Sequence, residues 1–309
     1  MDRIRPESLS LFRKALQHGD KVLISGAAGW FGQTAIAMTK TAGLEYMATG
    51  SRSRVIKLNG DNERIESHSM DSIAAFKPTV VIDAAFLTRE KIAVVGAANY
   101  IEVNQAIIDC SREIAGLASV RKYVGFSSGA TVHLAGHSSF SLSDNPYAAL
   151  KRSYEEQMLD AGSWSKASIA IPRVFSVTGA YVNRPELFAF SNLILQAKSG
   201  VMKIQASNRV LRRYCLVEDV ISLSLSSLDQ GATLIFETGG DLVEIGELAQ
   251  LIKAQIDTEI NIIRSLDQEE GSDNYFSSGL EWSSLSEKQG LVEETISRQI
   301  ARFVASVDA

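Results

Sequence analysis

The stretch Lys21-Val-Leu-Ile-Ser-Gly26-Ala-Ala-Gly29-Trp-Phe-Gly32 decides how the rest of the chain is read. An apolar run enters a Gly-x-x-Gly-x-x-Gly turn, and a helix-compatible segment follows over 31–42. Glycines let a backbone turn sharply and approach a ligand closely. The free N–H groups and dipole of the following helix favour negative charge at that turn. The reading is a cradle for a dinucleotide pyrophosphate, with Gly26, Gly29, Trp30, Phe31 and Gly32 as its contact residues.

Strand and helix patterns alternate outward from this point. Strands are expected at 22–25, 46–48, 79–85, 122–126 and 167–171, with a short third strand at 64–66. Helices are expected at 31–42, within 93–118 and at 148–159, and a short amphipathic helix at 8–18 precedes them. Such βα alternation implies a parallel sheet covered on both faces, a Rossmann-like doubly wound α/β fold. After Pro172 the pattern loosens into helices at 187–198, 220–228, 245–255 and 293–305, with a strand at 234–237. The expected organisation is an N-terminal extension over 1–20, a dinucleotide-binding domain over 21–172 and a smaller α/β substrate lobe over 173–309. Some elements of that lobe are expected to return to the main sheet. Residues 269–274 read as an exposed loop.

Composition narrows the function classes. With 309 residues, 45% hydrophobic and 22% charged, the chain reads as an ordinary globular protein with a large core. The net charge of -5 offers no general basic surface for nucleic acid. No apolar run is long enough to span a membrane, and Met1-Asp-Arg-Ile-Arg-Pro lacks the apolar core of a secretory signal. Cys110 and Cys215 make no disulfide framework, so a cytoplasmic location is expected. The histidines (His18, His68, His133, His137) show no ligand cluster, and no metal is expected.

A second motif carries chemistry. Tyr147-Ala-Ala-Leu-Lys151 opens a helix just after Asn145-Pro146, and its i, i+4 spacing puts phenol and ammonium on one face. A free phenol titrates at about 10 and is a poor base at neutral pH. A neighbouring ammonium lowers that value, so the expectation is that Lys151 tunes Tyr147 to pass a proton to or from a carbinol oxygen.

Together these residues resemble the short-chain dehydrogenase/reductase superfamily. The glycine spacing resembles its extended branch of nucleotide-sugar epimerases, dehydratases and reductases. Thr79–Ala85 resembles the strand that ends in small residues beside the cofactor, which implies contacts from Ala84, Ala85 and Phe86. Val103-Asn104 resembles the branch's Val-Asn, where Asn104 supports the active-site helix and a water. Val124 to Ser128 resembles the strand that ends at a catalytic hydroxyl. Ile171-Pro172-Arg173-Val174-Phe175-Ser176 resembles the segment over nicotinamide and sugar, implying roles for Pro172, Val174 and Ser176. Arg212-Arg213-Tyr214 begins an element whose first arginine grips the nucleotide diphosphate. Phe236-Glu-Thr-Gly-Gly resembles the late glycine-rich turn of the branch.

Three positions depart from the pattern. Gly129 stands where the family has its Ser or Thr, so the expectation is that Ser128, or failing that Thr131, supplies the hydroxyl, the alternative being no direct replacement. Ala130 and Thr131 stand where dehydratases carry an Asp–Glu pair, which argues against dehydration. The second strand leads into Thr49-Gly50-Ser51-Arg52-Ser53-Arg54, with no acid for ribose hydroxyls, so Ser51 and Arg52 favour NADP over NAD. Ser69-Met70 replaces a usual Asp-hydrophobic pair beside adenine, leaving Met70 as a contact.

The resemblance implies an NAD(P)-dependent oxidoreductase acting on a nucleotide-linked sugar. Its most concrete form is a 4-keto-sugar reductase with Tyr147, Lys151, Ser128 and Asn104 as catalytic set and Ser128, Thr131, Ser176 and Arg212 toward substrate. A nucleotide-sugar epimerase with retained cofactor fits the same residues. A non-catalytic NAD(P)-binding regulator is the alternative that Gly129 favours. Segments 93–118 and 148–160 are the expected surface of a homodimer.

Overall fold

The computed structural model describes residues 3–229, 231–267 and 271–308. Helix α1 (Pro6–Lys14) leads into β1 (Lys21–Ser25), α2 (Trp30–Ala42) and β2 (Glu45–Ala48). A hairpin of β3 (Arg54–Leu58) and β4 (Asp61–Ile65) comes next, then α3 (Met70–Phe76) and β5 (Val80–Asp83). A one-turn helix α4 (Ile92–Val95) precedes the long α5 (Ala97–Ala115). Strands β6 (Lys122–Gly125) and β7 (Ser127–Ser128) lead to α6 (Pro146–Trp164), β8 (Ser168–Val174) and β9 (Ser176–Thr178). The last part comprises α7 (Ala189–Ala197), β10 (Val201–Lys203), β11 (Val210–Leu216), α8 (Val217–Ser226), β12 (Thr233–Glu237) and β13 (Asp241–Glu244). It closes with α9 (Ile245–Ile256), β14 (Asn261–Ile263), β15 (Asp273–Asn274), α10 (Leu280–Gln289) and α11 (Ile296–Asp308).

The main sheet runs β12-β8-β6-β5-β1-β2, with β7 added beside β8, and every pairing in it is parallel. Its inner strands are continuous apolar runs, as burial on both faces requires: Val22, Leu23, Ile24, Val80, Val81 and Ile82 are fully enclosed. One apolar layer joins the sheet to α1, α2 and α8, and the other joins it to α3, α5 and α6. Strand order reverses between β1 and β5, so the crevice for a ligand opens at their carboxyl ends. Both the glycine turn and Ala84 stand there.

A third apolar cluster, from Phe190, Ile194, Leu248, Ile252, Ile300 and Phe303 among others, lies wholly in the later part of the chain. Its small sheet aligns β13-β11-β15, with β9 beside β11. Strand β12 and helix α8 come from the same half of the sequence but belong to the main sheet and its helical layer. Helix α1 is held against α8 by Arg5, whose guanidinium pairs with Asp219 at 3.0 Å, and by the Ser8 hydroxyl, which donates to the same carboxylate.

The expected strand at 64–66 is corrected here. Residues 61–65 pair with β3 in an antiparallel hairpin, and only Glu66 bridges back to Thr49. Asn59 and Gly60 form its two-residue turn with φ of 52° and 88°, the geometry an Asn-Gly pair provides. Residues 269 and 270 of the loop expected at 269–274 lie outside the described residues, while Asp273 and Asn274 form β15. No helix among the described residues is long and apolar enough to cross a membrane.

Candidate active site

The glycine turn is built for close approach. Gly26 has φ of +61°, and a Cβ there would collide with the Ala84 carbonyl and stand 2.6 Å from Ala85 N. A Cβ on Gly32 would lie 2.6 Å from Ala27 Cα, so the first turn of α2 packs directly on the loop. Gly29 caps α2 without a side-chain bond, and no acid occupies the first turn. The first N–H groups of the helix therefore have neither an intrahelical acceptor nor a competing carboxylate. These features fit a dinucleotide pyrophosphate. Phe31 packs against Phe126, with ring centroids 4.4 Å apart, and Trp30 meets Phe188 edge-on at 4.9 Å.

Helix α6 starts where the sequence says it should. The Asn145 side chain accepts from Ala148 N at 3.2 Å, and Pro146 fits the first turn because no N–H is needed there. This fixes Tyr147 and Lys151 on the inner face. The Lys151 ammonium is 6% exposed, donates to the Phe126 carbonyl at 2.6 Å and lies 3.6 Å from the centre of the Phe86 ring. Phe86 also meets the Tyr147 ring edge-on at 6.0 Å. The Ser128 hydroxyl accepts from Ala130 N at 3.2 Å.

The expected tuning of the phenol is corrected by this geometry. Burial pushes Tyr147 up to about 12. Burial also pulls Lys151 down to about 7, opposed by Asp83 and then Glu155. Desolvation outweighs charge pairing at both groups because the lysine spends its nearest contacts on a carbonyl and a ring.

Other expected residues fall in two groups. Asn104 is fully buried; its amide oxygen accepts from Leu87 N at 2.8 Å and its NH2 donates to Tyr100 O at 3.1 Å. It braces the loop that carries Ala84, Ala85 and Phe86. Pro172 and Val174 lie in β8, with Val174 in register with Ser128. Ser176 sits in β9 opposite Tyr214. Thr131 is not brought to the site: it is 1% exposed and donates to Ser128 O at 2.9 Å and Glu155 at 3.1 Å. Arg212 forms a bidentate pair with Asp273, at 3.1 and 2.6 Å. Ser51 and Arg52 are exposed after β2, and Arg52 makes no ion pair among the described residues. Met70 starts α3, with its sulfur 3.8 Å from Cys110 Sγ.

The sequence reading did not single out several neighbours. Glu155 accepts two bonds from Arg173, at 2.9 and 2.7 Å, and one from Ser127 at 2.6 Å, fixing β7 and β8 beneath Ser128. Glu155 and Lys151 are one helical turn apart, a signal the i, i+4 rule offers. Tyr275 stands 3.3 Å from Ser128 Oγ, brought there by the pairing of β15 with β11. No local pattern announces that contact.

The parallel sheet, the glycine cradle and the tyrosine–lysine pair on α6 together define an extended short-chain dehydrogenase/reductase. The sequence profile of the NAD dependent epimerase/dehydratase family matches residues 22–262, and the chain belongs to that family. Solved structures share the fold at low identity. MoeE5 in complex with UDP-glucose and NAD is 18% identical with a TM-score of 0.69, over 94% of this chain and 99% of that one. UDP-glucose 4-epimerase from Brucella ovis in complex with NAD is 15% identical with a TM-score of 0.70, over 93% and 98%. TunA, an NAD dependent NDP-hexosamine 5,6-dehydratase of tunicamycin biosynthesis, is 15% identical with a TM-score of 0.69, over 94% and 98%. No curated protein matches the chain in sequence.

Proposed function

We propose that the chain is a nucleotide-sugar 4-epimerase that keeps its NAD(P) between turnovers. The observation that carries this reading is Tyr147 and Lys151 on one face of α6 at the carboxyl edge of the sheet, the lysine donating to the Phe126 carbonyl and both side chains meeting the Phe86 ring. Bound NAD(P) supplies a hydride acceptor and donor. Tyr147 takes the proton from a sugar hydroxyl and later returns one to the keto oxygen. Ser128 donates a hydrogen bond to that oxygen, and Lys151 holds the ribose hydroxyls. Arg212 exchanges Asp273 for the diphosphate of the substrate, a planar fork suited to either partner. Ala130 and the inward-turned Thr131 offer no acid–base pair for loss of water, which argues against dehydration.

Retention is supported by a brace across the cofactor side, residues 181–188. The Tyr181 hydroxyl donates to Asn59 at 2.9 Å, Asn183 donates to the Ala28 carbonyl of the glycine turn at 2.9 Å, and Arg184 pairs with Glu90. Phe188 closes the run against Trp30. A chain tied to three separate segments around the pyrophosphate loop slows exchange, which suits an epimerase.

The second reading is a 4-keto-sugar reductase, favoured by the loop at 51–54. Its exposed Arg52 and Ser51 offer donors to a 2′-phosphate, and NADP exchange suits a reductase. Helices α5 and α6 are the proposed dimer surface. The test is incubation of purified protein with UDP-glucose or UDP-galactose without added cofactor. Interconversion supports the epimerase. Consumption of added NADPH with a nucleotide-linked 4-keto sugar supports the reductase. Dinucleotide binding with neither reaction supports a non-catalytic regulator.

A further inference from the structure

We infer that Tyr275 is a positioning residue, its phenol turning the Ser128 hydroxyl toward the reacting oxygen at a place where position 129 has no side chain. The inference rests on the carbinol chemistry proposed above. A side chain at position 129 would run into the Phe175 ring. A Cβ on Gly129 would stand 2.5 Å from Cδ1 and 2.7 Å from Cζ of Phe175. The ring that excludes it is the one on which Tyr275 leans, with centroids 5.1 Å apart and planes at 49°. His133 meets Tyr275 edge-on from another side at 5.3 Å. The phenol is thus held between two rings, next to the strand pairing of β15 with β11.

The hydroxyl it presents goes to a specific place. Tyr275 Oη is 3.3 Å from Ser128 Oγ and also interacts with the backbone of Ala130. A serine hydroxyl has one proton to donate and two lone pairs. Ala130 N donates to Ser128 Oγ at 3.2 Å, using one lone pair. If Tyr275 donates to the other, the serine proton is left to turn toward the substrate oxygen. Burial raises the Tyr275 phenol above its ordinary value, so it stays protonated and acts as a donor rather than a base. The bonds made and broken are those already described: the carbinol C–H hydride goes to NAD(P), the O–H proton goes to Tyr147, and Tyr275 keeps its own.

The test is Tyr275→Phe, which retains the ring and removes only the hydroxyl. UDP-glucose and UDP-galactose interconversion is measured for wild type, Tyr275→Phe, Tyr275→Phe/Ser128→Ala and Tyr147→Phe. Calorimetric affinity for UDP-glucose and thermal melting are measured alongside. The inference expects kcat to fall at least about tenfold in Tyr275→Phe, as for loss of one donor to a developing oxyanion. KM, UDP-glucose affinity and melting temperature stay near wild type, and removing Ser128 as well lowers kcat further because Ser128 itself donates to the substrate oxygen. A Tyr275→Phe enzyme with unchanged kcat, in a protein that Tyr147→Phe inactivates, overturns the role of Tyr275 and leaves the proposed function standing. Equal loss of kcat, affinity and melting temperature assigns Tyr275 to packing and also overturns it. Wild type that turns over neither sugar overturns the proposed function, and this inference with it.

Discussion

Phe175 lies across Gly129 so closely that a Cβ on the glycine would collide with Cε1 of the ring and stand 2.5 Å from Cδ1. Gly129→Ser is therefore expected to destabilise the fold by about 1–3 kcal/mol through overpacking. Denaturant unfolding of Gly129→Ser, Phe175→Ala and the double variant checks it. The serine should cost far less once the ring is gone. The same cost in both backgrounds would contradict the contact.

Arg52 stands free beside Ser51 at the end of the second strand. Arg52→Ala is expected to weaken NADP by roughly tenfold, the scale of one charge-assisted contact to phosphate, and NAD hardly at all. Titration of each dinucleotide by intrinsic tryptophan fluorescence measures both. Equal losses would remove the argument for a 2′-phosphate site.

Glu218 is 1% exposed, and neither carboxylate oxygen has a hydrogen-bond partner among the described residues. Burial, and next the charge of Asp219, raise it from 4.5 to about 8. Between those values the folded state holds more protons than the unfolded chain. This contribution is whole below pH 4.5 and is lost as pH rises through about 8. Asp219, raised to about 6, acts in the same direction over a lower range. Glu218→Gln is expected to be more stable than wild type by about 1–3 kcal/mol above pH 8, with the gap closing toward acid. Unfolding at several pH values checks the sign, and a gap independent of pH would contradict it.

Asn183 ties the brace to the glycine turn with a single bond to Ala28 O. Asn183→Ala is expected to release cofactor several-fold faster, since one such bond is worth about 1 kcal/mol. Stopped-flow displacement of bound dinucleotide measures the rate. An unchanged rate would detach the brace from retention.

The readability of this chain follows the range of its interactions. The glycine turn and the Tyr147–Lys151 pair are local spacings, and β1, α2 and α6 lie where those spacings put them. The hairpin also has a local signal that the expected strand at 64–66 does not use: Asn59-Gly60 is a two-residue turn pair between β3 and β4. Thr131 faces Glu155 because a short helical turn after Ser128 rotates it inward, a matter of one loop's pitch. Tyr275 reaches Ser128 only through a two-residue strand that pairs across the later lobe. The titration of Tyr147 and Lys151 depends on how deeply both are buried, which no spacing encodes.

The most direct test of the account replaces the phenol at its centre. Tyr147→Phe is compared with wild type for turnover of UDP-glucose and for dinucleotide affinity. The account predicts a loss of at least about 10²-fold in kcat, the scale of a positioned acid–base group, with cofactor affinity unchanged. A variant that keeps the wild-type rate would contradict it.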